Sequence, residues 1–192
     1  NTKPKLRKLL INIYIILKAA FGMESPFPEN REQDFKNEKK EKKPFLTLDS
    51  WQKEVLEHKG NLVVCSGRQT GKSTVVAIKA AEFIVHNKGK QVLIVSVTED
   101  QAKELLLKAV HYIMERYKSW IKAPYNKNIL KDLIRLNNGS IIRTKAVGQG
   151  GIGVRGFTID MLIADEAAFM PEDVWPAGTP MLSTTGGDIV LL

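Results

Sequence analysis

The residues best suited to chemistry in this chain lie between Ser66 and Thr74, where the sequence reads Ser-Gly-Arg-Gln-Thr-Gly-Lys-Ser-Thr. An apolar, strand-like run precedes this stretch and a helical pattern follows it, which is the context that a phosphate-binding P-loop requires. The backbone N–H groups of such a loop bind phosphate oxygens, and the helix N-terminus favours negative charge. We therefore predict a nucleotide site formed by Ser66, Gly67, Arg68, Gln69, Thr70, Gly71, Lys72, Ser73 and Thr74.

Two side chains of this loop have predicted chemical roles. Lys72 is expected to reach the β- and γ-phosphates and is a candidate catalytic residue, and the Ser73 hydroxyl is a candidate Mg²⁺ ligand. Ser66 replaces the first glycine of the usual pattern, which costs conformational freedom if that position is strained. The loop as a whole predicts binding of a nucleoside triphosphate with Mg²⁺.

An acidic pair follows a second apolar strand pattern, Met161–Ala164, roughly 90 residues beyond the loop. Asp165 is predicted to hold the hydration shell of Mg²⁺. Glu166 is predicted to orient or deprotonate the attacking water, which is the task of a general base. Many strands end in an acidic pair at a solvated edge, so this pattern indicates nucleotide hydrolysis only in combination with the loop.

A glutamine precedes the first strand, in the segment Leu48–Gln52. An amide group both donates and accepts hydrogen bonds, as the N6/N7 edge of adenine requires. Gln52 is therefore a candidate adenine contact, and the predicted nucleotide is ATP. An amphipathic helix with a packed Trp51 explains the same spacing equally well. No Asn-Lys-x-Asp guanine motif occurs in the sequence.

A glycine-rich segment, Gly148–Gly156, precedes the acidic pair. It contains a Gly-x-Gly-x-x-Gly match, but the pattern that follows is a strand rather than a helix, which argues against a dinucleotide site. We expect a loop that carries Arg155. Arg155 or Arg68 is predicted to contact a γ-phosphate as an arginine finger, and an ordinary surface arginine is the alternative for each.

Apolar periodicity predicts an α/β fold of strands alternating with helices, and hence a mainly parallel sheet covered by helices. The predicted helices run from Thr47 or Asp49 to His58, over Gly71–Val85, and from a capping box at Thr98 and Gln101 to about Lys118. Residues Pro171–Met181 are predicted as a helix or a turn. The predicted strands are Asn61–Ser66, Gln91–Val97, a hairpin of Leu133–Leu136 with Ser140–Arg143, Met161–Ala164, and one that begins at Ile189.

Charge divides the 192-residue chain, whose formal net charge is +8. Residues 1–43 hold 11 of the 29 basic residues but only 6 of the 21 acidic ones. We predict a basic, apolar helix over 1–22, a charged and disordered linker over 23–44, and a folded domain over 45–192. A basic chain suits a polyanionic partner such as DNA, although a solvated leader explains the charge as well.

Two classes of protein are disfavoured by the sequence. The single cysteine, Cys65, excludes an internal disulfide framework and a cysteine-rich metal site. The apolar run Leu9–Leu17 is too short for a membrane-spanning helix, which needs about 20 apolar residues. We expect no membrane association and a reducing, cytoplasmic setting.

Taken in order, these motifs resemble the terminase large subunits of tailed bacteriophages and their relatives. The resemblance covers residues 45–192 and is carried by Leu48–Gln52, the loop Ser66–Thr74, Gly153–Gly156, and the run Ile163–Phe169 around the acidic pair. It implies a P-loop ATPase of the additional-strand, RecA-like type, with one strand between the two motif-bearing strands. It also implies a homo-oligomeric ring at a capsid portal, which works in the host cytoplasm with a portal protein and a small terminase subunit to translocate double-stranded DNA.

The same resemblance sets expectations for what the chain lacks. The coupling motif of the family ends the strand that begins near Ile189, and the chain stops at Leu192. No acidic cluster of the family's nuclease can be placed, so we expect an ATPase without nuclease activity. A helicase-like translocase is the rival enzyme, since the segment Gln91–Gln101 resembles a conserved stretch of helicases, although Ala167-Ala168 departs from the usual helicase box. The non-enzyme alternative is a nucleotide-binding assembly module with poor turnover.

Overall fold

The computed structural model describes residues 47–67, 69–121, 127–147 and 158–192. The predicted leader helix 1–22, the linker 23–44, Arg68 and the glycine-rich segment with Arg155 lie outside the described residues. Their structure and roles, and the domain boundaries drawn from them, stay predictions.

Helices and strands alternate along most of the described chain. The helices are α1 (Ser50–Glu57), α2 (Lys72–His86), α3 (Glu99–Arg116) and α4 (Val174–Ser183), with 3₁₀ turns at Lys118–Trp120 and Ala167–Phe169. The strands are β1 (Leu62–Val63), β2 (Gln91–Ser96), β3 (Ile129–Leu130), β4 (Leu133–Arg135), β5 (Ile141–Ala146), β6 (Met161–Asp165) and β7 (Asp188–Leu191). Most ends of these helices and strands lie within one or two residues of the predicted ends.

The strands form one sheet in the order β1-β7-β6-β2-β5-β4-β3. Neighbours from β1 to β5 are parallel, whereas β5, β4 and β3 pair antiparallel. Strand β7 lies between β1 and β6, which confirms the additional strand that the resemblance implied. Because β1, β7 and β6 are parallel, the loop after β1 and the carboxylates after β6 leave the sheet at the same edge.

Both faces of the central sheet are buried, since successive side chains of a strand point to opposite faces. On one face Val92, Ile94, Met161 and Ile163 pack with residues of α2 and α3. On the other face Leu93, Val95, Leu162 and Ala164 pack with residues of α4. The continuous apolar runs of β2 and β6 are explained by this two-sided burial. The helix cover that the sequence predicted is therefore confirmed.

Two strand predictions need correction. The predicted buried strand Asn61–Ser66 has only Leu62 and Val63 in the sheet, and the Val63 side chain is 64% exposed. In the described part of the chain β1 pairs with β7 alone, so one of its sides is uncovered and the chain turns away into the loop. Strand β3 was missed, because its two residues carry too little periodicity to be recognised.

Local signals set the ends of the helices near the site. At the start of α3 the Thr98 side chain accepts from the Gln101 backbone N–H, and the Gln101 side chain accepts from the Thr98 N–H, as the capping box predicted. Helix α1 begins after its N-cap Asp49. Across the described ranges, the helices are all too short or too polar to cross a bilayer.

Candidate nucleotide site

Gly71, at the end of the loop between β1 and α2, has a backbone conformation that favours glycine. Gly71 is the N-cap of α2 with φ 89°, in the left-handed region that glycine adopts without steric cost. A Cβ atom at Gly71 would lie 2.9 Å from Nε2 of Gln52. The positive φ explains why the motif requires glycine here, whereas the Gln52 amide, at the end of a flexible side chain, can move aside.

Backbone strain in the described part of the chain is confined to this site. Apart from glycines, only Gln69 (φ 59°) and Glu166 (φ 58°) have positive φ there. Ser66 does not, so its replacement of the usual glycine introduces no left-handed strain. Strained residues tend to cluster where a protein performs chemistry, because the surrounding structure must stabilise them.

Side chains of the loop form hydrogen bonds with one another and with the loop backbone. The hydroxyl oxygens of Ser66 and Thr70 lie 2.6 Å apart, and the Thr70 hydroxyl donates to the Gly67 carbonyl at 3.0 Å. The Lys72 ammonium donates to the carbonyls of Ser66 at 2.6 Å and of Gly67 at 3.0 Å. These two bonds hold the Lys72 ammonium against the loop, and its contact with phosphate oxygens stays a prediction.

Gln52 joins helix α1 to the loop. Its Nε2 donates to the Thr70 carbonyl at 3.2 Å, and its Oε1 accepts from the Asp49 backbone N–H at 3.1 Å. The segment that the sequence connected with adenine therefore lies directly against the phosphate-binding loop. Both polar atoms of the Gln52 amide have protein partners in this arrangement. The contact between Gln52 and adenine stays a prediction.

A cleft of about 290 Å³ opens beside the loop, and one of its walls comes from α3. Its lining is Gly67, Gln69, Thr70, Gly71, Lys72, Ser73, Thr74 and Lys108. Sequence reasoning missed Lys108. The Lys108 ammonium lies 2.8 Å from a carboxylate oxygen of Glu104, one helical turn earlier, and the Lys108 side chain is 34% exposed. Among the residues that the structure describes, the cleft lining thus has two cations, Lys72 from the start of α2 and Lys108 from α3.

The acidic pair ends β6 in the predicted position, with Asp165 opposite Ser96 in the sheet. Burial raises the pKa of the Asp165 carboxyl, and the neighbouring charge of Glu166 raises it further. The Lys108 ammonium opposes this shift in the pKa of Asp165. A half-buried carboxylate beside a second carboxylate is an unfavourable concentration of negative charge, which a bound cation would relieve.

This donor set fits Mg²⁺ that arrives with a nucleotide. No cluster of three or more His, Cys, Asp or Glu side chains that could hold a metal exists within the described ranges. Mg²⁺ does not need such a cluster, because it keeps several waters and binds one or two carboxylates together with phosphate oxygens. Asp165 at the end of β6 and Ser73 in the cleft lining are the protein groups available for this role.

The backbone turns sharply at Glu166, directly after β6, because this residue has the left-handed dihedral angles φ 58° and ψ 44°. Its Oε2 accepts a hydrogen bond from Nε2 of Gln101 at 2.8 Å, so α3 contacts the predicted general base directly. From sequence, Gln101 was recognised as a capping residue and as the end of a helicase-like segment, but not as a neighbour of Glu166. Gln101, Glu104 and Lys108 have helical spacing i, i+3, i+7, which places them on one face, but no sequence signal shows that this face meets the site.

A family model described as "Terminase large subunit, T4likevirus-type, N-terminal" matches residues 63–175, more than half of the chain. The terminase large subunit of Thermus phage G20c is 28% identical over 148 residues, which cover 65% of this chain and 29% of that protein. The chain therefore spans less than a third of the length of this curated relative.

Solved structures of large terminases have a fold similar to that of this chain. The large terminase ATPase domain of Thermus phage P74-26 superposes with a TM-score of 0.62 and 24% identity, covering 76% of this chain and 64% of that one. A large terminase from a thermophilic bacteriophage, solved in complex with ADP, has a TM-score of 0.57 and 14% identity, covering 75% of this chain and 38% of that one.

Proposed function

This chain belongs to the terminase large-subunit family, T4-like-virus type, N-terminal, and from that premise we propose that it binds and hydrolyses ATP to drive double-stranded DNA into a procapsid. One observation carries the proposal. The cleft that contains Lys72 and the pair Asp165–Glu166 lie at the same edge of the sheet. They follow strands β1 and β6, which are separated only by β7. The ADP complex of the thermophilic-bacteriophage large terminase supports nucleotide as the ligand.

Binding is assigned to the loop and its cations. Backbone N–H groups of Gly67–Thr74 and the N-terminus of α2 would receive the phosphates. Lys72 would exchange its bonds to loop carbonyls for bonds to the β- and γ-phosphates. Ser73 and Asp165 would hold Mg²⁺, which supplies charge neutralisation for the phosphates when it is bound.

Hydrolysis is assigned to Glu166. Its carboxylate would accept a proton from a water as the water oxygen bonds to the γ-phosphorus, and the bond from that phosphorus to the β–γ bridging oxygen breaks. The products are ADP, inorganic phosphate and a proton. Arg68 or Arg155, both outside the described residues, is proposed to stabilise the developing charge on the γ-phosphoryl group.

The remaining assignments rest on family membership. They are a homo-oligomeric ring, the portal protein and small terminase subunit as partners, double-stranded DNA as the translocated polymer, and action in the host cytoplasm during virion assembly. The T4-like terminase match favours this role over that of a helicase. Nuclease activity is not assigned to these residues.

We expect Mg²⁺-dependent ATP hydrolysis by this chain, stimulated by double-stranded DNA. Lys72→Ala is expected to weaken ATP binding and abolish turnover, because the ammonium is the loop's own phosphate contact. Steady-state phosphate release, measured with and without DNA, and isothermal titration with a non-hydrolysable ATP analogue are the assays. ATP binding without hydrolysis would identify an assembly module, duplex unwinding would identify a helicase, and failure to bind ATP would refute the site.

Lys108→Met is expected to weaken ATP binding by about 10-fold or more, because a charge-assisted hydrogen bond contributes about 1.5–3 kcal/mol. Lys103→Met is the matched control. Lys103 lies on the same helix and pairs with Glu99 in the same i, i+4 arrangement, but it does not line the cleft. Equal nucleotide affinity in the two variants would show that Lys108 is only part of the wall.

A further inference from the structure

We propose that Lys108 contacts the terminal phosphate of bound ATP, so that this lysine of α3 determines the preference of the site for a nucleoside triphosphate over a diphosphate. The inference rests on the proposed function, because it names the contact that distinguishes the substrate from its product. Lys108 lies outside the loop Ser66–Thr74 and outside the pair Asp165–Glu166, and none of the motifs identified in the sequence includes it.

The order of the strands determines which end of a bound nucleotide Lys108 faces. The phosphate loop follows β1, the acidic pair follows β6, and α3 follows β2, which lies on the far side of β6 from β1. A triphosphate whose inner phosphates lie in the loop would extend its terminal phosphate towards the acidic pair, because Mg²⁺ bridges the β- and γ-phosphates there. Lys108 lines the same cleft, but it comes from α3 rather than from the loop. It is therefore placed for the terminal phosphate.

Electrostatics places the Lys108 ammonium near the proposed Mg²⁺ ligand. Burial has the largest effect on the pKa of the Asp165 carboxyl and raises it, as does the charge of Glu166, whereas the Lys108 ammonium lowers this pKa. The carboxylate of Glu104, which pairs with Lys108, raises the pKa of Asp165 as well. Because Coulomb interactions weaken with distance, the pair of Lys108 and Glu104 lies close to Asp165. A terminal phosphate that shares Mg²⁺ with Asp165 would lie within the same field.

Helix geometry directs the Lys108 side chain towards this edge of the sheet. Side chains of an α-helix tilt towards its N-terminus, and α3 begins just after β2, whose last residue lies opposite Asp165. The first turn of α3 is adjacent to the acidic pair, since Nε2 of Gln101 lies 2.8 Å from Oε2 of Glu166. The Lys108 ammonium contacts Glu104, one turn nearer to the N-terminus, at 2.8 Å. The lysine thus extends along α3 towards the acidic pair.

The ion pair with Glu104 is one that a phosphate can replace. The side chain of Glu104 is 68% exposed and that of Lys108 is 34% exposed, and solvent-exposed i, i+4 pairs contribute little to stability. A terminal phosphate has more negative charge than one carboxylate and offers several acceptor oxygens. ADP ends at the β-phosphate, which the loop and Lys72 are proposed to bind, and it gives Lys108 no such partner. Exchange of Glu104 for phosphate would therefore occur with ATP alone.

The test compares the affinities of the chain for ADP and for a non-hydrolysable ATP analogue, both by isothermal titration with Mg²⁺ present. Lys108→Met is expected to weaken binding of the analogue by about 10-fold or more and binding of ADP by less than about 3-fold, because only the analogue loses a charge-assisted hydrogen bond. Lys103→Met controls for the loss of one positive charge on α3, since Lys103 pairs with Glu99 and does not line the cleft. Both of its affinities should stay near wild type.

Glu104→Gln tests the exchange of partners from the other side. It removes the carboxylate that competes with phosphate for Lys108, and we expect the ATP analogue to bind about 3-fold more tightly. The gain should disappear in the double variant Glu104→Gln with Lys108→Met, because the two residues act as one pair. A gain that persists in the double variant would come from the net charge of the cleft alone and would count against the proposal.

Two results with Lys108→Met would overturn the proposal. An equal loss of affinity for ADP and for the analogue would place the ammonium at the inner phosphates, and unchanged affinities would place it beyond the reach of the nucleotide. If this variant does not fold, as judged by its melting temperature, unchanged affinity for the analogue in Glu104→Gln would overturn the proposal instead. Failure of the proposed function is distinguishable, because a wild-type chain that binds neither nucleotide refutes the site itself, whatever the Lys108 variants do.

Discussion

Glu166→Gln is expected to lower ATP turnover by about 10²-fold or more, because the amide cannot accept the proton of the attacking water. The substitution preserves shape, and its amide oxygen can still accept the hydrogen bond that Gln101 donates. ATP affinity should therefore stay within a few-fold of wild type. Steady-state phosphate release and calorimetric titration with ATP measure the two quantities on the same preparation.

The matched control is Glu172→Gln, which makes the same chemical change at an exposed position two residues before the start of α4. Wild-type turnover is expected for it. If Glu166→Gln retained turnover comparable with that of Glu172→Gln, another group would have to be the base. If it lost ATP binding as well, its main role would lie in forming the site rather than in proton transfer.

Lys79→Met is expected to lower the free energy of unfolding by about 2–4 kcal/mol, because it removes charge-assisted hydrogen bonds and leaves carbonyls without their donor. Lys79 lies in the middle of α2 and is only 6% exposed. Its ammonium donates to the carbonyls of Val55 at 3.0 Å, Leu56 at 3.3 Å and His58 at 2.6 Å. The three N–H groups thus bind the last turn of α1.

Burial lowers the pKa of the Lys79 ammonium, and the nearby charge of Asp188 partly opposes this. The charged form is maintained in the interior by its three acceptors. Because Lys79 joins the helix that carries Gln52 to the helix that follows the phosphate loop, we expect the Lys79→Met variant to bind ATP more weakly as well, through displacement of α1.

Urea denaturation measures the effect, and a lower midpoint with an unchanged m-value is the expected form. Lys53→Met is the control, because Lys53 lies on α1 and its side chain is exposed; surface substitutions usually change stability by less than about 0.5 kcal/mol. Equal midpoints for the two variants would mean that water replaces Lys79 at the carbonyls of α1.

Much of the candidate site follows from short-range signals. The loop around Gly71, the strand Met161–Ala164 and the acidic pair after it were all predicted, because a P-loop needs fixed residue types at fixed spacing. The capping box at Thr98 was predicted for the same reason, since it depends on residues only three positions apart. The chemical roles of these residues stay predictions until the variants are measured.

Contacts between segments that are distant in sequence could not be predicted, because no short-range pattern indicates them. Lys79 lies 21 to 24 residues from the carbonyls that it binds. In the sequence alone it is indistinguishable from any other charged residue of a helix. Gln101 and Glu166 are 65 residues apart, and nothing in the local pattern of either indicates the other. The short edge strands β1 and β3 were also misjudged, since their pairing depends on neighbours rather than on their own periodicity.

The sequence by itself determined the class of fold, the order of its elements and the residues that form the phosphate loop and the acidic pair, because hydrophobic period and turn chemistry act over a few residues. Only the tertiary structure decided that Lys108 lines the cleft and that Gln101 donates a hydrogen bond to Glu166. These outcomes depend on how the sheet orders its strands and which face of α3 packs towards the site, and such packing is a property of the whole chain rather than of any segment of it.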